Sequence, residues 1–200
     1  MTRVKMCGLR SEADVRAVLE LRPDFAGFIL SGGFRRSISR ETFAELSAML
    51  IGSGVKRVGV FVNEPLDSLI DFADYIDVIQ LHGSEDEDYI RSLRKLTDKP
   101  IIKAITVRFE ADIEAARASS ADYVLLDSGT GTGSTFEHSL IADIDRPFFL
   151  AGGLTAENVS EAIRRFEPFA VDASSSLETD GIKDKTKMAA FAEAARRKEN

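Results

Sequence analysis

Short apolar runs alternate with amphipathic stretches along the whole 200-residue chain. Eight runs have the length and composition of strands: Val4–Cys7, Phe25–Leu30, Lys56–Val62, Val78–Leu81, Ile101–Ile105, Tyr123–Asp127, Phe148–Ala151 and Ala170–Ala173. They are rich in Val, Ile, Leu and Phe, and most are stopped by Gly, Ser, Asn or Asp. Their near-continuous apolarity predicts strands covered on both faces, as in a parallel sheet. Between them the spacing becomes helical. Leu66, Leu69, Ile70 and Ala73 fall at i, i+3, i+4 and i+7, as do Val159, Ala162, Ile163 and Phe166, and again Met188, Phe191, Ala192 and Ala195. Such spacing gathers apolar side chains into one stripe along a helix. Val15, Val18 and Leu19 make a shorter stripe, and further helices are expected over Glu110–Ala118 and 138–142. Ser11, Ser39 and Thr155 stand where helix N-caps belong, and Pro65 suits a first helical position.

A strand–helix pair recurs about every two dozen residues, the period of a βα unit. Eight such units predict an α/β fold closed into a (β/α)8 TIM barrel of eight parallel strands, as one domain over residues 1–200. A doubly wound open sheet is the alternative, disfavoured because no GxGxxG follows the first strand.

Composition narrows the partners. With 44% hydrophobic residues the chain can fill a core, and its net charge of −7 opposes binding to a nucleic acid backbone. A local site can still hold one small anion. No apolar run reaches the length of a membrane span, and the MTRVKMCGLR start has no signal-peptide stretch. The single cysteine, Cys7, excludes an intrachain disulfide framework and suits a reducing cytoplasm. His82 and His138 form no cluster with Cys7, so no metal site is expected.

In a barrel of this kind, reactive groups sit at the C-terminal ends of the strands and in the loops beyond them. Those positions hold Cys7, Arg35 and Arg36 in the loop from Ser31 to Ile38, Asn63, Gln80 with His82, Lys103, Asp127, Gly152–Gly153, and Asp172 with Ser174–Ser176. Each has a structural and a chemical reading. Cys7 is either a small buried hydrophobe or a base; a base needs an electropositive setting. Asp127 closes four apolar residues, so it is either a turn-former for the glycine-rich loop behind it or a poorly solvated acid. Arg36 is either a solvated surface arginine or an anchor for a substrate carboxylate. Gln80 and His82 share a barrel face by the two-residue strand period, which by itself fits a structural hydrogen-bonded pair. Gly152 and Gly153 precede one helix and Ser174 to Ser176 follow the next strand. Loops after strands seven and eight are the usual phosphate site of such barrels.

These motifs together resemble a known family. Val4-Lys5-Met6-Cys7-Gly8 is similar to the opening KICG motif of phosphoribosylanthranilate isomerases. The likeness continues through Gly27-Phe28-Ile29, Arg36 with Ile38-Ser39, Val58 to Asn63, Ile79-Gln80-Leu81-His82-Gly83 and Leu125-Leu126-Asp127. It runs on through Ala151 to Thr155 with Glu157-Asn158-Val159, then Val171-Asp172-Ala173-Ser174-Ser175, Glu178 and Gly181-Ile182-Lys183-Asp184. The resemblance implies a (β/α)8 barrel of tryptophan biosynthesis that rearranges N-(5-phosphoribosyl)anthranilate to the carboxyphenylamino-deoxyribulose phosphate, with no cofactor. It implies Cys7 as general base, Asp127 as general acid and Arg36 as the anthranilate-carboxylate anchor. It further implies a phosphate on the backbone around Gly152, Gly153, Ser174 and Ser175, with Gln80, His82 and Asp172 also facing the substrate, in a monomer or weak homodimer. Three local departures stand out: Phe136-Glu137-His138 where the family usually reads Phe-Asp-Trp, Ser176 where it usually has glycine, and a short loop between Asp127 and Phe136. Three rivals are weighed beside it. A histidine-pathway Amadori enzyme would use paired aspartates in place of Cys7. A silent phosphoribosyl-binding module would keep only the phosphate site. A thiol-redox protein would need a resolving cysteine.

Overall fold

A computed structural model describes residues 1–127, 141 and 144–197. Eight parallel strands close into a barrel in chain order: β1 (Arg3–Cys7), β2 (Phe25–Ile29), β3 (Lys56–Phe61), β4 (Val78–Leu81), β5 (Ile101–Thr106), β6 (Tyr123–Asp127), β7 (Phe148–Ala151) and β8 (Ala170–Ala173). Around them lie α1 (Glu12–Leu21), α2 (Arg40–Ala48), α3 (Leu66–Ile70), α4 (Glu87–Arg94), α5 (Glu110–Ala118), α6 (Val159–Phe166) and α7 (Lys185–Arg196). A two-stranded ribbon, β9 (Glu178–Thr179) with β10 (Ile182–Lys183), sits between β8 and α7. The helix expected over 138–142 lies, apart from residue 141, outside the described residues. Among the described residues, no helix is long and apolar enough to cross a membrane.

The caps divide into expected and unexpected. Ser11 accepts from Asp14 N and forms a capping box with it, and Ser39 accepts from Thr42 N. Thr155 does not cap the next helix: α6 begins four residues later with Asn158 as N-cap, and Thr155 closes the preceding turn, its oxygens accepting from Glu157 N and Val159 N. Pro65 stands at the N-cap rather than the first helical position. The stripe ending at Ala73 is split, because α3 stops at Ile70 and Ala73–Tyr75 turns as a 3₁₀ helix. Phe72 forms the break, its ring 6.0 Å from Phe43 and 5.8 Å from Phe61.

Two apolar regions follow from the strand period. Outward side chains such as Met6, Phe28, Ile79 and Leu126 bury against the helices. Inward ones grade from large to small. At the N-terminal end, Phe25, Phe149, Phe169 and Tyr123 plug the barrel, with ring centroids 4.6 Å apart for Tyr123–Phe169 and 5.2 Å for Phe25–Phe149. At the other end stand Cys7, Ala104 and Ala151. Small residues there leave the mouth unfilled, and the polar groups of the strand ends surround the space.

Carboxylates at the opposite rim tie strand starts together. Asp24, just before β2, accepts from Val4 N at 2.8 Å; Asp77, before β4, accepts from Arg57 N at 2.8 Å; Asp122, before β6, accepts from Ile101 N at 2.7 Å. Each clasps a strand to the one before it and satisfies an N–H that the barrel rim would otherwise leave unpaired.

Candidate active site

The mouth encloses a cavity of about 600 Å³ lined by Cys7, Arg36, Gln80, His82, Asp127, Gly152, Gly153, Asp172, Ser174 and Ser175, with Ser176 beside them. The residues given a catalytic or substrate-binding role by the resemblance therefore face one space. Of the other strand-end candidates, Arg35, Asn63 and Lys103 do not line it. Lys103 Nζ donates to Glu85 at 2.8 Å and to Gly83 O at 2.7 Å, and Glu85 also accepts from Asn63 N at 2.7 Å. That buried knot holds the loops after β3 and β4 in place.

On β1 the two-residue period puts Lys5 and Cys7 on the same inward face. Lys5 is fully buried and donates to Asp172 Oδ1 at 2.9 Å. Burial pulls its amine down, but the charges of Asp172 and Cys7 and the hydrogen bond to Asp172 more than offset this and raise it. Burial pushes the Cys7 thiol up, opposed first by the Lys5 ammonium and reinforced by Asp172. The thiol thus sits above its ordinary value, not below it as a free-standing base would require. Ser174 Oγ donates to Cys7 O at 3.0 Å and couples the end of β8 to the end of β1.

Arg36 is held by Glu178, which accepts from its Nε at 2.5 Å and its Nη2 at 3.0 Å. Arg35 and Lys183 reach the same carboxylate at 2.7 and 2.9 Å. Burial would push the Glu178 carboxyl up, but these three donors win and hold it at about 2. A bidentate carboxylate fixes the plane of a guanidinium, so Arg36 is presented to the cavity in one orientation.

On the far side, Gln80 Nε2 donates to His82 Nδ1 at 2.8 Å. With the amide nitrogen as donor, the neutral imidazole carries its proton on Nε2, which lies 3.8 Å from Asp127 Oδ2. Burial, ahead of any charge, lowers the His82 value, which keeps the ring neutral near pH 7. Gln80 Oε1 is buried without a hydrogen-bond partner among the described residues.

Gly152 and Gly153 both adopt positive φ, +88° and +63°, conformations that favour glycine, and they bring bare backbone to the cavity wall. Asn158 pins the turn by donating to Gly153 O at 3.0 Å. Phe136, Glu137 and His138 lie outside the described residues.

Three participants escaped the reading of residues: Lys5, Glu178 and Lys183. Lys5 left a signal, a lone cation inside an apolar strand two positions before Cys7. Glu178 and Lys183 left none in spacing, because their partners come from other loops. Among the described residues, no group of three or more His, Cys, Asp or Glu could hold a metal ion.

This arrangement offers a thiol and a carboxylate for proton transfer, an oriented cation, and glycine and serine loops for an anion. The comparisons agree with it. The family model for N-(5'phosphoribosyl)anthranilate (PRA) isomerase matches residues 4–194. An N-(5'-phosphoribosyl)anthranilate isomerase of Endomicrobium trichonymphae is 38% identical over 195 residues, 94% of this chain and 95% of that protein. The crystal structure of phosphoribosyl anthranilate isomerase from Thermotoga maritima superposes with a TM-score of 0.88 at 38% identity, covering 98% of this chain and 99% of that one. A phosphoribosyl anthranilate isomerase in complex with reduced 1-(o-carboxyphenylamino)-1-deoxyribulose 5-phosphate gives a TM-score of 0.85 at 37% identity, with coverage of 98% and 99%. A closed barrel, a mouth carrying this residue set and matches along nearly the full chain lead to one conclusion: the chain belongs to the N-(5'-phosphoribosyl)anthranilate isomerase family.

Proposed function

We propose that this chain, as one barrel domain, converts N-(5'-phosphoribosyl)anthranilate into 1-(2-carboxyphenylamino)-1-deoxyribulose 5-phosphate without a cofactor. The observation that carries this reading is that Cys7 and Asp127 line one cavity, with Arg36 and the glycine and serine loops around them. The carboxylic acid of Asp127 gives its proton to the ring oxygen as the C1–O bond breaks and the anthranilate nitrogen forms the Schiff base. The Cys7 thiolate then takes the C2 proton, and the resulting enolamine relaxes to the ketone. Arg36 pairs with the anthranilate carboxylate, a match of planar fork to planar acceptor. The phosphate rests on backbone N–H groups near Gly152, Gly153, Ser174 and Ser175. Gln80, His82 and Asp172 complete the wall facing the sugar.

A base thiolate has to stay reduced, which supports a cytoplasmic location. The protein is proposed to act as a monomer or weak homodimer. The test is the loss of fluorescence of freshly prepared phosphoribosylanthranilate on adding the protein. Cys7→Ser and Asp127→Asn should each slow turnover by about 10²–10⁴, the range for a general base or acid. Binding of substrate with no turnover by the unaltered chain would instead establish a silent phosphoribosyl-binding module.

A further inference from the structure

The Cys7 sulfur is a poor base on its own account, since burial favours the uncharged thiol. What surrounds it decides whether it can ionise. Lys5 faces it on its own strand, Asp172 from β8, Lys183 from the ribbon, Arg36 from the loop after β2, and His82 and Asp127 from β4 and β6 across the cavity. The neighbouring β2 brings no titratable group, and its Gly27 lies against the sulfur. Of these groups Lys5, two residues away on the same inward face of β1, opposes burial most strongly through its charge, while Lys183 does so more weakly.

Lys5 has no route to solvent, and Asp172 at 2.9 Å is its acidic partner. A buried ammonium without a carboxylate would shed its proton; with one it stays charged. The geometry points to Lys5 as a positioning residue for catalysis: its ammonium, kept charged and fixed by Asp172, is the built-in counter-ion that lets Cys7 exist as a thiolate. Lys5 touches neither the proton in transit nor the substrate. It acts through Cys7. Asp172 has a double consequence, holding the cation in place while drawing off part of its field. This inference rests on Cys7 being the base proposed above.

Cys7 is the only cysteine in the chain, so thiolate absorbance in the ultraviolet and the rate of alkylation by iodoacetamide each report on that one group. Both are followed against pH in the intact protein, with turnover measured separately. Lys5→Met is expected to raise the thiol midpoint by about one unit or more, the scale of an opposite charge at close range. Alkylation at a fixed pH below that midpoint then slows about tenfold or more. Lys5→Arg keeps the charge and holds the midpoint near that of the unaltered protein. Because Lys5→Met strands a buried carboxylate and can unfold the chain, Lys5→Met with Asp172→Asn is made alongside; its midpoint rises too, by less. A midpoint that stays at the unaltered value in Lys5→Met, or in the double variant where the single one does not fold, overturns the proposal. Loss of turnover should appear in kcat with KM little changed. A moved midpoint in a protein that never isomerises the substrate would sink the proposed function and, with it, the catalytic part given to Lys5, leaving Lys5 only as the counter-ion of the thiolate.

Discussion

Gly27 leaves open the space that the Cys7 sulfur occupies: a Cβ at position 27 would stand 2.7 Å from Sγ and 3.2 Å from Cα of Cys7. The two residues are register partners on β1 and β2. Any side chain at 27 must push the sulfur aside or part the strands. Gly27→Ala is expected to destabilise the fold by about 1–3 kcal/mol, as overpacking does, and to lower turnover. Thermal melts run beside the isomerase assay check this. A variant matching the unaltered protein in both would show that the seam yields without strain.

The His82 imidazole offers a reading of Asp127 that needs no turnover. Burial is the main reason its midpoint lies below the usual 6.5, and the Asp127 charge pulls the other way. Asp127→Asn removes that pull, so the His82 midpoint should fall further. Proton NMR of the imidazole across the acid range makes the measurement. Because the folded value is depressed, His82 lowers stability as pH drops below 6.5, and that acid sensitivity should deepen in the variant. A midpoint that rises in Asp127→Asn would contradict the placement of the two groups.

Arg36→Met should act mainly on KM, raising it about ten- to hundredfold if a charge-assisted bond to a carboxylate contributes roughly 1.5–3 kcal/mol. Lost turnover at unchanged KM would assign Arg36 to the chemistry instead. Glu178→Gln loosens the grip on Arg36 and should raise KM by a smaller factor.

The same carboxylate predicts an acid limb of stability. Burial would lift Glu178, but its three cationic donors bring it from 4.5 to about 2. A depressed carboxyl stabilises the fold in full above its ordinary value, and that contribution disappears as pH falls toward about 2. Urea midpoints taken from about pH 5 downward should therefore fall less steeply in Glu178→Gln than in the unaltered chain. Parallel slopes would mean that the ion cluster adds nothing to stability.

The strands were legible because a strand buried on both faces is written as an uninterrupted apolar run; Tyr123–Asp127 and Phe148–Ala151 begin and end as expected. Helix ends were not. Periodicity says which residues share a face, as Leu66 and Leu69 do, but not where hydrogen bonding tightens from one turn type to another after Ile70. Thr155 has the chemistry of a cap, yet Asn158 lies where the helix starts, and only backbone geometry distinguishes them. In the site, position at the strand ends picked out Cys7, Asp127 and Asp172, and the two-residue period put Gln80 and His82 on one face. The Lys5–Asp172 and Arg36–Glu178 pairs join residues 167 and 142 positions apart. No local pattern encodes such contacts; they exist only once the barrel is closed.

Strands β7 and β8 pair over two registered positions, Phe149 with Ala170 and Leu150 with Val171, the shortest seam in the barrel. The aspartate clasps secure β1 to β2, β3 to β4 and β5 to β6. The barrel is therefore a staved cask with its thinnest joint between the last two staves. The loops proposed to hold the phosphate rise from those same two strands. A phosphate lodged between them acts as a hoop, drawing together the joint that backbone pairing leaves weakest. If the phosphate lodges there, amide exchange along β7 and β8 is expected to slow as the site fills.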